Sequence, residues 1–143
     1  MYSIFRNAKI SIQALKAADN EALTGTTLDM QGYDSVIFIA GALQGEALTG
    51  FDVTAQQGAA SDMSDAADLA GTEVAFTTAA DADGLAALEI HQPQERYVRS
   101  VVTVPDADAA TPTFCIAIQF NMKDVPYATN TGEVHVSPAE GTA

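Results

Sequence analysis

Residues able to do chemistry are few in this chain, and they are scattered. His91 and His135 are its two histidines. Each stands two residues from a glutamate, Glu89 and Glu133, on the polar side of an alternating pattern. Two imidazoles and a carboxylate are a known metal set, but nothing in these positions fixes a common separation. They read as solvent-facing strand residues. Cys115 is the single cysteine, so no internal disulfide can form. It lies in TFCIAIQF, among Phe114, Ile116 and Ile118, with no basic neighbour to lower its thiol pKa, and reads as a small buried apolar side chain. DMSDAAD and DADG suggest calcium, because carboxylate oxygens suit that ion. A helix–loop–helix calcium loop counted from Asp81 needs glutamate at its twelfth position, which here is Gln92. The glycine-rich nonapeptide of calcium-binding repeats is absent as well. These segments read as acidic turns. No G-x-S-x-G turn, phosphate loop or dinucleotide fingerprint occurs. The expectation is a protein that is not an enzyme and uses no cofactor or metal.

The charge pattern is more distinctive. Six basic residues face nineteen acidic ones, for a net charge of −13. Such a surface repels phosphate backbones and anionic lipid, so neither nucleic acid nor membrane is an expected partner. Between Ala17 and Glu95 there is no lysine or arginine; then QERYVRSVVTV brings Arg96 and Arg99 together around Tyr97. Two readings stand side by side. The arginines pair within the chain, with Glu95, Glu89 or a loop aspartate. Alternatively Arg96, Tyr97 and Arg99 form a subunit interface, since arginine and tyrosine are enriched where proteins meet. Arg6, Lys9 and Lys16 form the other basic group, a candidate arm for gripping a partner surface.

The elements that must position these residues are strands. FDVTAQQ places Phe51, Val53 and Ala55 on one face; TEVAFTT pairs Val74 with Phe76; ALEIHQ pairs Leu88 with Ile90. In RYVRSVVTV, Val98, Val102 and Val104 point one way, and Tyr97, Arg99, Val101 and Thr103 the other. TFCIAIQF sets Phe114, Ile116, Ile118 and Phe120 on one face against the smaller Cys115, Ala117 and Gln119 on the other. DSVIFIAGAL is apolar on both faces, as a central, doubly covered strand is. Gly, Pro, Asp and Ala clusters separate the runs at a spacing that gives seven or eight short strands. The expected fold is all-β, a single-domain β-sandwich or jelly-roll-like domain. One or two helical turns fit Ser61 to Ala70, closed by Gly71. The expected organisation is an extended N-terminal arm over 1–24, the sandwich over 25–136 and a surface tail over 137–143. No signal peptide or membrane span is evident, so the chain is expected to be made and folded in a cytoplasm.

The segments LDMQGYDSVIFIAGAL, TAQQG with DLAGTEVAF, ERYVRSVVTV and GEVHVSPAEGTA resemble a family of small structural proteins of tailed bacteriophages. The likeness runs from about Leu28 to the C-terminus. Proteins of this size and acidity without enzymatic motifs are similar to capsid decoration, or cement, proteins. The resemblance implies a β-sandwich, often a homotrimer, on the outer surface of the virion capsid, with the major capsid protein and further copies of itself as partners. It implies that the chain binds the assembled head and stabilises capsomer contacts by non-covalent adhesion. Two alternatives remain: a head–tail connector or tail structural protein, and a carbohydrate-binding or adhesin-type β-sandwich.

Overall fold

The computed structural model describes residues 7–16, 22–42, 51–76, 84–104 and 113–122. Within them lie ten strand segments. The long ones are β1 (Lys9–Lys16), β4 (Tyr33–Ala42), β5 (Asp52–Gly58), β8 (Gly84–His91), β9 (Tyr97–Thr103) and β10 (Thr113–Met122). The two-residue ones are β2 (Leu23–Thr24), β3 (Leu28–Asp29), β6 (Ala67–Asp68) and β7 (Val74–Ala75). One sheet runs β1-β10-β4-β8. In the other, β5 and β9 pair centrally; β2 and β3 lie along the free side of β9, and β6 and β7 along the free side of β5. All these pairs are antiparallel, and the sheets enclose one core. The chain is an all-β sandwich, as its alternating pattern predicts.

Two glycine turns lead out of edge segments, one from β3 across to β4 and one from β6 toward β7. Tyr33 N–H donates to Met30 O at 2.9 Å, with Gly32 at φ 89° in the third position. Thr72 N–H donates to Leu69 O at 3.3 Å, with Gly71 at φ 78° in the same place. Positive φ at that position is what a type II turn demands, and glycine adopts it without a Cβ penalty. Gly71 is thus a turn residue, not the cap of a helix. The helical turns expected over Ser61 to Ala70 are replaced by tight turns and β6. The Asp65 carboxylate accepts from Ala59 and Ala60 N–H, and Asp62 accepts from Ser64 N–H. Short acidic side chains that bond the local backbone compete with helix at such positions.

The core is uneven from side to side. Phe38, Phe51, Val36, Val53, Val98 and Val102 are fully buried, and the Phe51 and Phe76 rings meet at 5.8 Å between centroids. Where β10 faces β9 and β2 the interior is small and polar. Ser100 Oγ lies 3.4 Å from Cys115 Sγ. A Cβ on Gly25 would stand 2.5 Å from Gln13 Oε1 and 2.7 Å from Ser100 Oγ. This close approach decides the orientation of β10. Cys115, Ala117 and Gln119 are buried inside, while Phe114, Ile116, Ile118 and Phe120 are half-buried on the outer face. The two faces of TFCIAIQF are thus told apart: the smaller one is inside, with Cys115 buried as its sequence context predicts, because no phenylalanine fits where Ser100 meets Cys115. In β4, Val36, Phe38 and Ala40 face the core. Ile37 and Ile39 are half-buried on the same outer face as the β10 isoleucines, so this central strand is fully covered on one side only.

Within the segment expected to be an extended arm, Lys9–Lys16 is strand β1, hydrogen-bonded along β10, and Leu23–Thr24 pairs with β9. The register of β1 shifts between Ile12 and Ala14, and Gln13 at that shift is buried. Its Nε2 donates to Thr26 Oγ1 at 3.1 Å.

Candidate interaction surfaces

The arginine-bearing stretch is held from several sides. Asp29, at the end of β3, receives both Arg96 Nε at 2.9 Å and Nη2 at 2.7 Å, and Gln31 Oε1 accepts from Nη2 at 2.6 Å. The same guanidinium lies 5.2 Å from the centroid of the Tyr97 ring. Arg96 donating to Asp29 holds that carboxyl below its ordinary value, with Gln31 N–H adding in the same direction. Arg99 Nε donates to Gln56 Oε1 at 2.8 Å, and Gln56 Nε2 donates to Asp68 at 2.8 Å. Gln57 Oε1 accepts from Gln94 and Glu95 N–H, pinning the loop that leads into β9. Arg96, Tyr97 and Arg99 thus lie together, and both cations are engaged inside the chain. Asp29, rather than Glu95, Glu89 or a loop aspartate, is the acidic partner of Arg96. Three sequence motifs far apart in the chain converge here: DMQGYD, the Gln-Gln pair and RYVR. Their shared position was not visible in their spacing.

Beside this network lies an open cleft of about 550 Å³. Gln31, Tyr33, Asp34, Gln94 and Arg96 contribute to its lining, and Tyr33 is its one aromatic residue. The Arg96 guanidinium on its wall already faces a carboxylate, so the cleft offers little to an anion.

The other candidates separate. Lys9 is exposed on β1; Arg6 lies outside the described residues, as does the side chain of Lys16. His91 is exposed on β8, where its Nδ1 is 2.7 Å from Ser35 Oγ; His135 lies outside the described residues. The Asp81–Gly84 turn falls outside them up to Asp83, as does the expected tail. Among the described residues, no three of His, Cys, Asp and Glu stand close enough to hold a metal ion. Cys115 is buried, and removal from water pushes its thiol pKa up, which keeps it protonated and unreactive at neutral pH.

A surface that the sequence reading missed is the outer face of the four-stranded sheet. Register sets three rows across β1, β10, β4 and β8: Ile10–Ile118–Ile37–Glu89, Ile12–Ile116–Ile39–Ala87 and Leu15–Phe114–Gly41–Leu85. Ile12 is 67%, Leu15 78% and Leu85 56% exposed. The Phe114 ring lies over Gly41, where a Cβ would come within 2.6 Å of it. The outer face of the other sheet is more polar, presenting Thr54, Gln56, Arg99 and Thr103 beside Tyr97 and Val101. The signal was present in the strand sequences, since VIFIAG and TFCIAIQF are apolar on both faces and KISIQAL carries Ile10 and Ile12 on one. Reading each strand alone left open which apolar face met the core. No protein-family model matches this chain, and no curated protein is significantly similar to it.

Proposed function

We propose that this protein is a capsid decoration protein of a tailed bacteriophage, acting by adhesion to the outside of the assembled head. It would brace neighbouring capsomers without catalysis or cofactor. The observation that carries the reading is the apolar outer face of the four-stranded sheet, on a sandwich whose other outer face is polar. A broad, flat apolar face suits docking to protein, a neighbouring copy included, rather than chemistry on a small molecule. The sequence resemblance supplies the kind of particle. Many copies, each making modest contacts, stabilise a shell by mass action, because they bind the assembled form and not the free subunit. The candidate grip is the basic group Arg6, Lys9 and Lys16, the last two at the ends of β1, the outermost strand of its sheet among the described residues.

The test uses purified heads with and without the chain. Decorated heads are expected to retain DNA to a higher temperature and through stronger osmotic shock than bare ones. Decoration also requires copies spread over the whole shell, whereas a connector would be confined to one vertex. Changing Arg6, Lys9 and Lys16 to glutamate is expected to reduce occupancy sharply while the sandwich melts as before. Bare heads as robust as decorated ones would sink the cement role.

A further inference from the structure

The three apolar rows of the four-stranded sheet need a partner of a particular kind. Strands lie about 4.8 Å apart and residues rise about 3.3 Å, so these rows cover a footprint of roughly 20 Å by 20 Å. That is about 400 Å² before corrugation, within the roughly 300–600 Å² of the largest apolar patch on a monomer, which is often functional. Of the twelve residues in the rows, Glu89 alone is charged. The chain as a whole carries −13. Two copies therefore repel one another in most orientations, and least when these nearly uncharged faces meet.

We propose that this face is buried against the same face of further copies of this chain. Ridges of isoleucine on a regular sheet are self-complementary. Two sheets stack face to face about 10 Å apart, with strands about 30° off parallel, which joins two sandwiches into one four-layered unit about a twofold axis. The footprint is about half of the 800 Å² per partner that stable interfaces bury, so association of the free protein is reversible and concentration-dependent. The contact between copies then lies on this sheet and not at Arg96, Tyr97 and Arg99, where Arg96 is paired with Asp29 and Arg99 donates to Gln56 within the chain. The inference deepens the adhesive reading and depends on it only for where the copies assemble.

Sedimentation of the pure protein over a range of concentrations tests it. Wild type is expected to rise from the mass of one chain to that of two. The double variant Ile12→Asp/Leu15→Asp is expected to stay at one, with a cooperative melt. Both positions are more than half exposed on β1, so the fold should tolerate them. Should that pair misfold, Leu85→Asp on β8 probes the opposite edge of the face and is expected to weaken association at least tenfold. Arg99→Ala should associate like wild type. A wild type that stays monomeric overturns the proposal, as does a folded double variant that still associates. A monomer whose β10 amides exchange slowly would show that the chain's own remaining residues cover the face, which equally overturns it. Binding to heads is scored separately: a monomer that still decorates heads refutes only this inference, and an oligomer that ignores heads refutes only the decoration role.

Discussion

Gly25 shows how little room the thin side of the sandwich allows at the scale of single residues. A methyl group there meets Gln13 Oε1, Ser100 Oγ and the Ser100 carbonyl, all within 3.0 Å. Gly25→Ala is expected to lower the urea midpoint, with a cost of about 1–3 kcal/mol as the polar contacts are pushed apart. Asp29 gives the pH dependence. Its folded pKa is lowered, first by the Arg96 hydrogen bonds, from an ordinary value of 3.8. A depressed carboxyl contributes stability that is fully present above the unfolded pKa and is lost as pH falls through the folded one. Thermal midpoints of wild type and Asp29→Asn should therefore differ at neutral pH and converge in acid below the carboxylate range. A gap that persists unchanged at the acid end would assign the effect to packing. Cys115 adds a chemical check: it should resist alkylation in the native protein and react at once in denaturant, because burial keeps it a protonated thiol.

At the scale of elements, β10 decides the most. Its inner side chains lie in rows with Phe38, Val36 and Ala40 of β4, and only small or polar groups fit beneath β9. Ala117→Leu is expected to destabilise by about 1–3 kcal/mol through overpacking. Ile116→Thr, one residue away, should cost well under that at protein concentrations where copies are dissociated. Urea midpoints of the two variants discriminate the faces directly. If Ile116→Thr is the more damaging, β10 is turned the other way. Phe38→Ala removes a fully buried ring from the broad side of the core and is expected to cost about 3–5 kcal/mol. The edge segments β2, β3, β6 and β7 are expected to be far more forgiving, since each offers only two residues to the ladder.

For the whole molecule, the two outer faces divide the labour. The polar one keeps a strongly acidic protein dispersed, and the apolar one gives it a single preferred way to meet another surface. The acidic turns whose partners are described bond to their own backbone, as Asp62 and Asp65 do, instead of converging on a cation. Adding calcium or EDTA is therefore expected to leave the thermal midpoint unchanged. A shift of several degrees on chelation would point to an ion site around Asp81 and Asp83, beyond the described residues.

Alternation in FDVTAQQ, ALEIHQ and RYVRSVVTV determined by itself that this chain is an all-β sandwich, and it placed Phe51, Val53, Leu88, Ile90, Val98 and Val102 in the core. A period of two is local: side chains on one strand alternate whatever the strand packs against. It also placed Arg96, Tyr97 and Arg99 side by side. It could not say what they hold, since Asp29 and Gln56 reach them only through the pairing of β3 and β5 with β9. Nor could period two settle a strand that is apolar on both sides. In β10 each alternative buries a plausible set, and the choice rests on how closely the second sheet approaches. Only the tertiary structure decided that, through the contact of Ser100 with Cys115. The same contact turned Phe114, Ile116 and Ile118 outward, beside Ile37 and Ile39, and so made the apolar face on which the self-association of this protein is argued.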